Sequence, residues 1–133
     1  MIRGLLLGLL AAGCAAHPGP APLADLAGTS WRVVMVNGRA TPTIGDFSLR
    51  FDRSGGVGAR FGCNAMGGRY RMVGGTLTVS DLTQTLMGCP EPAGTFESQG
   101  SAILSRPMQV SFTSNDRMGL SNAAGSIALD PLP

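Results

Sequence analysis

The sequence predicts a mostly β domain of the α+β type, in which a small antiparallel sheet curls into a barrel-like shape and one short helix follows the second domain cysteine. Two observations lead to this prediction. Apolar and polar residues alternate through most of the chain after Leu26, which is the period of a half-buried strand. The chain's 20 glycines, with clusters of Ser, Asn and Asp, divide these runs into short strands. Many short strands avoid exposed edges by closing into a barrel or packing as two sheets.

The first residues have the layout of a lipoprotein-type signal peptide. Arg3 precedes an apolar run that is too short to span a bilayer, and small residues follow up to Cys14. The stretch LAAGC resembles the bacterial lipobox, although Ala11 stands where a large aliphatic residue is usual. We therefore expect Cys14 to carry lipid and to begin the mature chain, because two acyl chains give stable attachment. The alternative is an ordinary cleaved signal peptide.

The chain divides into a signal peptide at 1–13, a lipidated cysteine and flexible tether at 14–25, and one domain at 26–133. Ala15 after the lipobox cysteine implies an outer-membrane lipoprotein facing the periplasm, with a soluble periplasmic or secreted protein as the alternative. The net charge of +2 and scattered basic residues argue against nucleic acid as a partner. We expect a monomer held at the membrane by its lipid, with another envelope protein as its partner.

The first predicted strand, Trp31–Val36, is apolar on both faces apart from Arg32, so we place it centrally in the sheet. Phe47–Phe51 and Val57–Phe61 both alternate, and a glycine-containing turn between them predicts a hairpin.

The same alternation predicts a second hairpin around Gly74–Gly75 and a three-stranded meander from Met108 to Leu129. Between them, apolar residues from Phe96 to Leu104 recur at spacings of three and four, which predicts the helix between Pro92 and Pro107.

Six large apolar side chains on these strands are possible lining residues for a small ligand inside the sheet; the alternative is that they fill the core. They are Phe47, Phe51, Phe61, Met72, Met108 and Phe112.

Cys63 and Cys89 are the two cysteines of the domain, and in an exported protein such a pair predicts a disulfide. Buried free thiols and a reactive cysteine are the alternatives. No metal site or cofactor is expected, because two cysteines without a nearby histidine do not complete a zinc ligand set. The domain has no histidine to serve as general base, so we do not expect an enzyme. Asn64 is interpreted as a turn or capping residue that bonds local backbone.

The stretches GTSW, GCN and TLMGC occur in this order along the domain and resemble the META domain family of HslJ-like proteins. The motif positions are Gly28, Thr29, Trp31, Gly62, Cys63, Asn64, Thr85, Met87 and Cys89. The resemblance implies a non-catalytic envelope protein that supports heat or envelope stress tolerance, novobiocin resistance, motility or secretion. The alternative function is a carrier or sensor of a small apolar or lipid ligand inside the curled sheet.

Five arginines make the two central hairpins locally basic. If they share a face, they can meet anionic lipid headgroups; a solvated outer sheet face is the alternative. They are Arg50, Arg53, Arg60, Arg69 and Arg71.

Overall fold

A computed structural model describes residues 25–133 of the chain. The predicted signal peptide, Cys14 and nearly all of the predicted tether lie outside the described residues. None of the helical structure in the described part is both long and apolar enough to cross a membrane.

Nine strands and one helix make up the described part. In chain order they are β1 (Ser30–Val36), β2 (Arg39–Ala40), β3 (Phe47–Phe51), β4 (Gly56–Phe61), β5 (Ala65–Val73), β6 (Thr76–Gln84), α1 (Ala93–Leu104), β7 (Met108–Phe112), β8 (Met118–Asn122) and β9 (Gly125–Leu132).

Eight of the strands form a closed antiparallel barrel. Starting from β1, the order is β3, β4, β5, β6, β7, β8 and β9, and β9 pairs back onto β1. The short β2 pairs with β1 alone. The predicted mostly β, barrel-like fold with one helix after the second cysteine is therefore confirmed. The central position of the first strand is also confirmed, because β1 has a partner along each side.

The hairpins form where alternation and glycine predict them. β3 and β4 pair in continuous register from Phe47 opposite Phe61 to Phe51 opposite Val57, so their apolar residues share the inner face. The β5–β6 pair contains a bulge, and Asp81 within it has a φ of 55°. Gly68 faces this bulge, where an added Cβ would lie 2.7 Å from the carbonyl oxygen of Ser80. Only glycine lets the two backbones approach so closely.

The barrel interior and the inner face of α1 form one apolar core. Phe96, on the buried face of α1, meets Phe47 edge-to-face with ring centroids 5.6 Å apart. Four of the six side chains proposed as ligand-lining are buried in this core, and the other two are half-buried against it. The buried ones are Phe47, Phe51, Phe61 and Met108, and the half-buried ones are Met72 and Phe112.

Candidate functional site

The turn after β4 and the extended segment after β6 meet at one end of the barrel. β5 pairs with β4 on one side and with β6 on the other, which brings the start of β5 beside the end of β6. Beyond the strand, the Thr85 amide continues this pairing by donating to the Ala65 carbonyl over 3.0 Å. Two motifs that are far apart in sequence, GCN and TLMGC, therefore become neighbours.

A disulfide joins these two segments. Cys63 and Cys89 are bonded, with Cα atoms 5.9 Å apart. Of the three possibilities for these cysteines, the disulfide is the one found. Each sulfur is used by the other, so neither residue offers a thiolate in this state.

Asn64 links three parts of the chain through its side-chain amide. Its Oδ1 accepts from the Met87 backbone N–H at 2.7 Å and from the Thr85 hydroxyl at 2.8 Å. Its Nδ2 donates to the Met87 carbonyl at 3.0 Å and to the Glu97 carboxylate at 2.7 Å. The expectation of bonds to local backbone was wrong, because these partners lie 21 to 33 residues away. The residue is 2% exposed, and an amide buried in this way needs all of its partners.

The spacing in TLMGC follows from these contacts. Thr85, Met87 and Cys89 are alternate residues of this segment, and each contacts the GCN turn, although Thr85 and Met87 remain exposed. Thr85 contacts it through its hydroxyl, Met87 through both backbone groups and Cys89 through sulfur. The residues between them, Leu86 and Gly88, face solvent.

Glu97 is the member of this site that the motifs do not include. It lies on the buried face of α1, is 7% exposed, and accepts from both the backbone N–H and the side chain of Asn64. A Sγ–Oε2 distance of 3.3 Å places Cys89 beside it, but a disulfide sulfur has no hydrogen to donate, so this is a packing contact. The sequence did hold a signal, because Glu97, Gly100 and Leu104 follow helical spacing along the buried stripe.

We name this group the Asn64 clamp; its members are Cys63, Asn64, Thr85, Met87, Cys89 and Glu97. Cys63, Cys89 and Glu97 bring potential metal-ligand atoms within 4.8 Å of one another, but both sulfurs are already bonded. Within residues 25–133, every buried side-chain nitrogen or oxygen has a hydrogen-bond partner. The clamp therefore links the start of β5, the segment after β6 and α1 through a disulfide and hydrogen bonds.

Two apolar side chains project from the segment that the clamp holds. Leu86 is 90% exposed and Met87 is 59% exposed. We name this pair the Leu86 ridge. The segment's backbone is fixed by the disulfide at Cys89 and by the N–H groups of Met87 and Thr85, which donate to Asn64 Oδ1 and the Ala65 carbonyl.

The GTSW residues form a separate structural network at the opposite end of the barrel. Gly28, with a φ of 77°, donates its N–H to the Phe51 carbonyl. The Thr29 hydroxyl donates to the Leu26 carbonyl at 2.6 Å and accepts from the Trp31 indole N–H at 2.8 Å. This network fixes the entry of the chain into β1 and makes no contact with the clamp.

The chain is similar to a known family and to two solved structures. The family model for the META domain matches residues 24–129. An NMR structure of a protein with 22% identity has a TM-score of 0.69 and covers 79% of this chain and 90% of its own. A second, from Burkholderia xenovorans, has 22% identity, a TM-score of 0.65, and covers 87% of this chain and 97% of its own. No curated protein matches the sequence.

The barrel, its helix and their shared apolar core all lie within residues 25–133. Because a segment with a core of its own can fold independently, we treat residues 25–133 as the folding unit.

Proposed function

The chain belongs to the META domain family, and from that membership we propose that it is a non-catalytic, lipid-anchored protein of the bacterial cell envelope that supports stress tolerance by binding another envelope protein. The observation that carries the proposal is the Leu86 ridge, which offers apolar side chains on a backbone that the Asn64 clamp fixes. The anchor is supported by the lipobox-like sequence that ends at Cys14.

The ridge fits an apolar pocket on a partner. A flexible exposed leucine loses conformational freedom when it binds, and that loss reduces the affinity. The backbone around Leu86 is already ordered by a disulfide and by bonds to Asn64, so less freedom remains to be lost. Binding energy at interfaces is concentrated in a few side chains that fill well-packed pockets, and methionine is enriched at interfaces.

The clamp itself supports a non-catalytic role. Within residues 25–133 its buried side-chain polar atoms all have hydrogen-bond partners, which is typical of a structural network. The alternative carrier function has less support, because its proposed lining residues pack in or against the core.

Complementation of a deletion strain tests the partner-binding role. We expect wild-type protein to restore survival under heat and novobiocin, and Leu86→Ser to fail although it accumulates with its disulfide intact. Ile44→Ser is the matched control, because Ile44 is an exposed aliphatic residue, 86% accessible, outside the ridge. Full activity of Leu86→Ser, or a deletion without any stress phenotype, would refute the role.

The anchor has its own test. Cells grown with radioactive palmitate should label the wild-type protein but not Cys14→Ser. If the wild-type protein is not labelled, the lipid anchor is contradicted, and the partner-binding role of the ridge is still tested by complementation.

A further inference from the structure

Four neighbouring strands of the barrel present arginine and no carboxylate. β1, β3, β4 and β5 are adjacent in the sheet, and their residues include five arginines, all exposed, and no Asp or Glu. We name this surface the arginine wall; its members are Arg32, Arg50, Arg60, Arg69 and Arg71. Arg53, the other arginine considered with these hairpins, lies in the β3–β4 turn.

Three carboxylates border the wall: Asp46 acts on Arg60, Asp52 on Arg69 and Asp130 on Arg32. Within residues 25–133, Arg50 and Arg71 make no ion pair. Asp52 is held by its own turn, where its Oδ1 accepts three hydrogen bonds. Asp130, on β9, is paired with Arg117 at 2.7 Å and lies directly opposite Arg32 of β1. Among residues 25–133, Asp46 makes the one ion pair to a wall arginine, with its Oδ2 3.7 Å from Nε of Arg60, and exposed pairs of this kind are weak.

A cleft in the wall separates Arg50 from Arg60. Gly58 pairs with Arg50 across the strands, and Ser48 and Ala65 lie on either side of Arg60, so the floor carries only small side chains. The cleft has a volume of about 400 Å³. An added Cβ at Gly58 would have its nearest neighbour 3.9 Å away, so the space above this glycine is open.

We propose that the arginine wall docks on the anionic headgroups of a phospholipid bilayer, with a headgroup phosphate entering the cleft between Arg50 and Arg60. Arginine binds phosphate through its planar fork of donors, and the small floor lets the phosphate approach both side chains. The inference rests on the proposed anchor, because a tether at residues 15–24 keeps the barrel within about 35 Å of the membrane. Docking would hold the barrel on its side against the bilayer surface.

Vesicle partition of residues 25–133 tests the wall without any lipid anchor. We expect the domain to sediment with vesicles of phosphatidylcholine plus phosphatidylglycerol and not with phosphatidylcholine alone. Arg50→Gln/Arg60→Gln should lower the partition coefficient about 30-fold, since each arginine near an anionic surface is worth roughly fivefold. Asp46→Asn should raise it, because the substitution removes the carboxylate at the edge of the cleft.

Arg39→Gln/Arg106→Gln is the matched control, with the same charge change outside the wall. It should change partition by no more than about threefold in about 0.1 M salt, where charges beyond roughly 10 Å are screened. Equal losses in the two double variants would overturn the proposal, because net charge alone would then explain binding. Leu86→Ser should partition as wild type does, and a loss there would assign membrane contact to the ridge instead.

A second pair of variants tests the cleft by adding side chains of equal size. Gly58→Glu should abolish partition, whereas Gly58→Gln should retain more of it, because only the first places a carboxylate where the phosphate enters. Equal partition of the two variants would contradict phosphate binding in the cleft. Saturable binding of inorganic phosphate without vesicle partition would make the ligand a soluble anion and overturn membrane docking.

The two proposals fail in distinguishable ways. Residues 25–133 do not include Cys14, so a wild-type protein that fails to incorporate palmitate would leave the vesicle result unchanged. Absence of partition, in turn, leaves palmitate labelling and the complementation by ridge variants unchanged.

Discussion

The side-chain amide of Asn64 takes the place of a neighbouring strand. A peptide group in a sheet offers one N–H and one C=O to its partner, and Asn64 offers the same pair to the two backbone groups of Met87. The segment after β6 can therefore leave the sheet and still have its backbone satisfied. Glu97 completes the arrangement by accepting the remaining N–H of the amide.

Asn64→Asp is the sharpest change at the residue scale. The new carboxylate has the same shape, but it faces the Glu97 carboxylate and no longer donates to the Met87 carbonyl. We expect the free energy of unfolding at neutral pH to fall by about 3 kcal/mol, since each buried unsatisfied group costs about 1 to 3 kcal/mol. Urea denaturation of the domain measures the change.

The deficit of Asn64→Asp should depend on pH. Repulsion between two facing carboxylates raises the pKa of one of them above its value in the unfolded chain. The repulsion therefore costs no stability below the unfolded pKa, and the cost appears as pH rises through the raised folded pKa. Gln84→Glu is the control, because Gln84 also bonds Glu97 but is exposed. A deficit for Asn64→Asp that is no larger than this control's would contradict the buried-clamp argument.

Motif spacing predicted which residues of the clamp matter but not their partner. TLMGC and GCN named five of the six members from sequence, while Glu97 remained unnoticed in a helix whose face was judged by its apolar residues. Alternation and helical period show which way a residue faces. They do not show that two polar residues 33 positions apart will meet, because closure of the barrel determines that contact.

The ends of helix α1 are held by residues outside it. Its N-cap, Pro92, makes no side-chain capping bond, but the Glu91 carboxylate accepts from the Thr95 N–H, and Asn122 donates to the Ile103 carbonyl at 2.9 Å. Its buried face also fits closely. Gly100 lies on that face, where an added Cβ would enter the ring of Phe61.

Gly100→Ala separates packing from helix propensity. Propensity favours alanine by up to about 1 kcal/mol, but overpacking a core costs about 1 to 3 kcal/mol. We therefore expect a net loss of about 1 to 2 kcal/mol in thermal or urea unfolding. Ser98→Ala, on the exposed face of the same helix, should stay within about 0.5 kcal/mol of wild type. A stabilised Gly100→Ala domain would contradict the close fit against Phe61.

The elements themselves were predictable where their signal is local. Alternation and turn glycines gave both hairpins and the last three strands, and apolar spacing gave α1. The two-residue β2 was missed because Arg39–Ala40 is exposed and carries no alternation. Closure of β9 onto β1 was expected only as a barrel-like curl, since the register of two distant strands has no local signature.

Across the whole molecule, the disulfide limits the freedom of the unfolded chain. It closes a loop across 26 positions, for which chain entropy gives about 3.5 kcal/mol. We expect Cys63→Ala/Cys89→Ala to lose about this amount in urea denaturation. Reduction of the wild-type domain should give a similar loss. A double variant as stable as the oxidised protein would contradict the entropic argument.

Acid should destabilise the domain partly through Asp52. Hydrogen bonds from Ser54 and Gly56 hold the pKa of this carboxyl below its usual value. The contribution of Asp52 to the free energy of unfolding is therefore fully present above the pKa of the carboxyl in the unfolded chain. It is lost as pH falls below about 4 toward the lower pKa of the folded state. Asp52→Asn should flatten the decline of unfolding free energy in this range. Asp116→Asn is the control, since its side chain makes no hydrogen bond or ion pair to residues 25–133, and an equal flattening would contradict the assignment.

The seam between β1 and β9 also sets when folding can finish. Ser30 lies opposite Leu132, so the first strand gains its last partner only when the final residues arrive. A chain that is synthesised from its N-terminus therefore keeps one side of β1 unpaired until nearly all of the domain has been made. A truncated chain that lacks β9 leaves that edge of β1 open to pairing with another chain. Closure of the seam therefore protects the domain from such pairing only when the last strand is present.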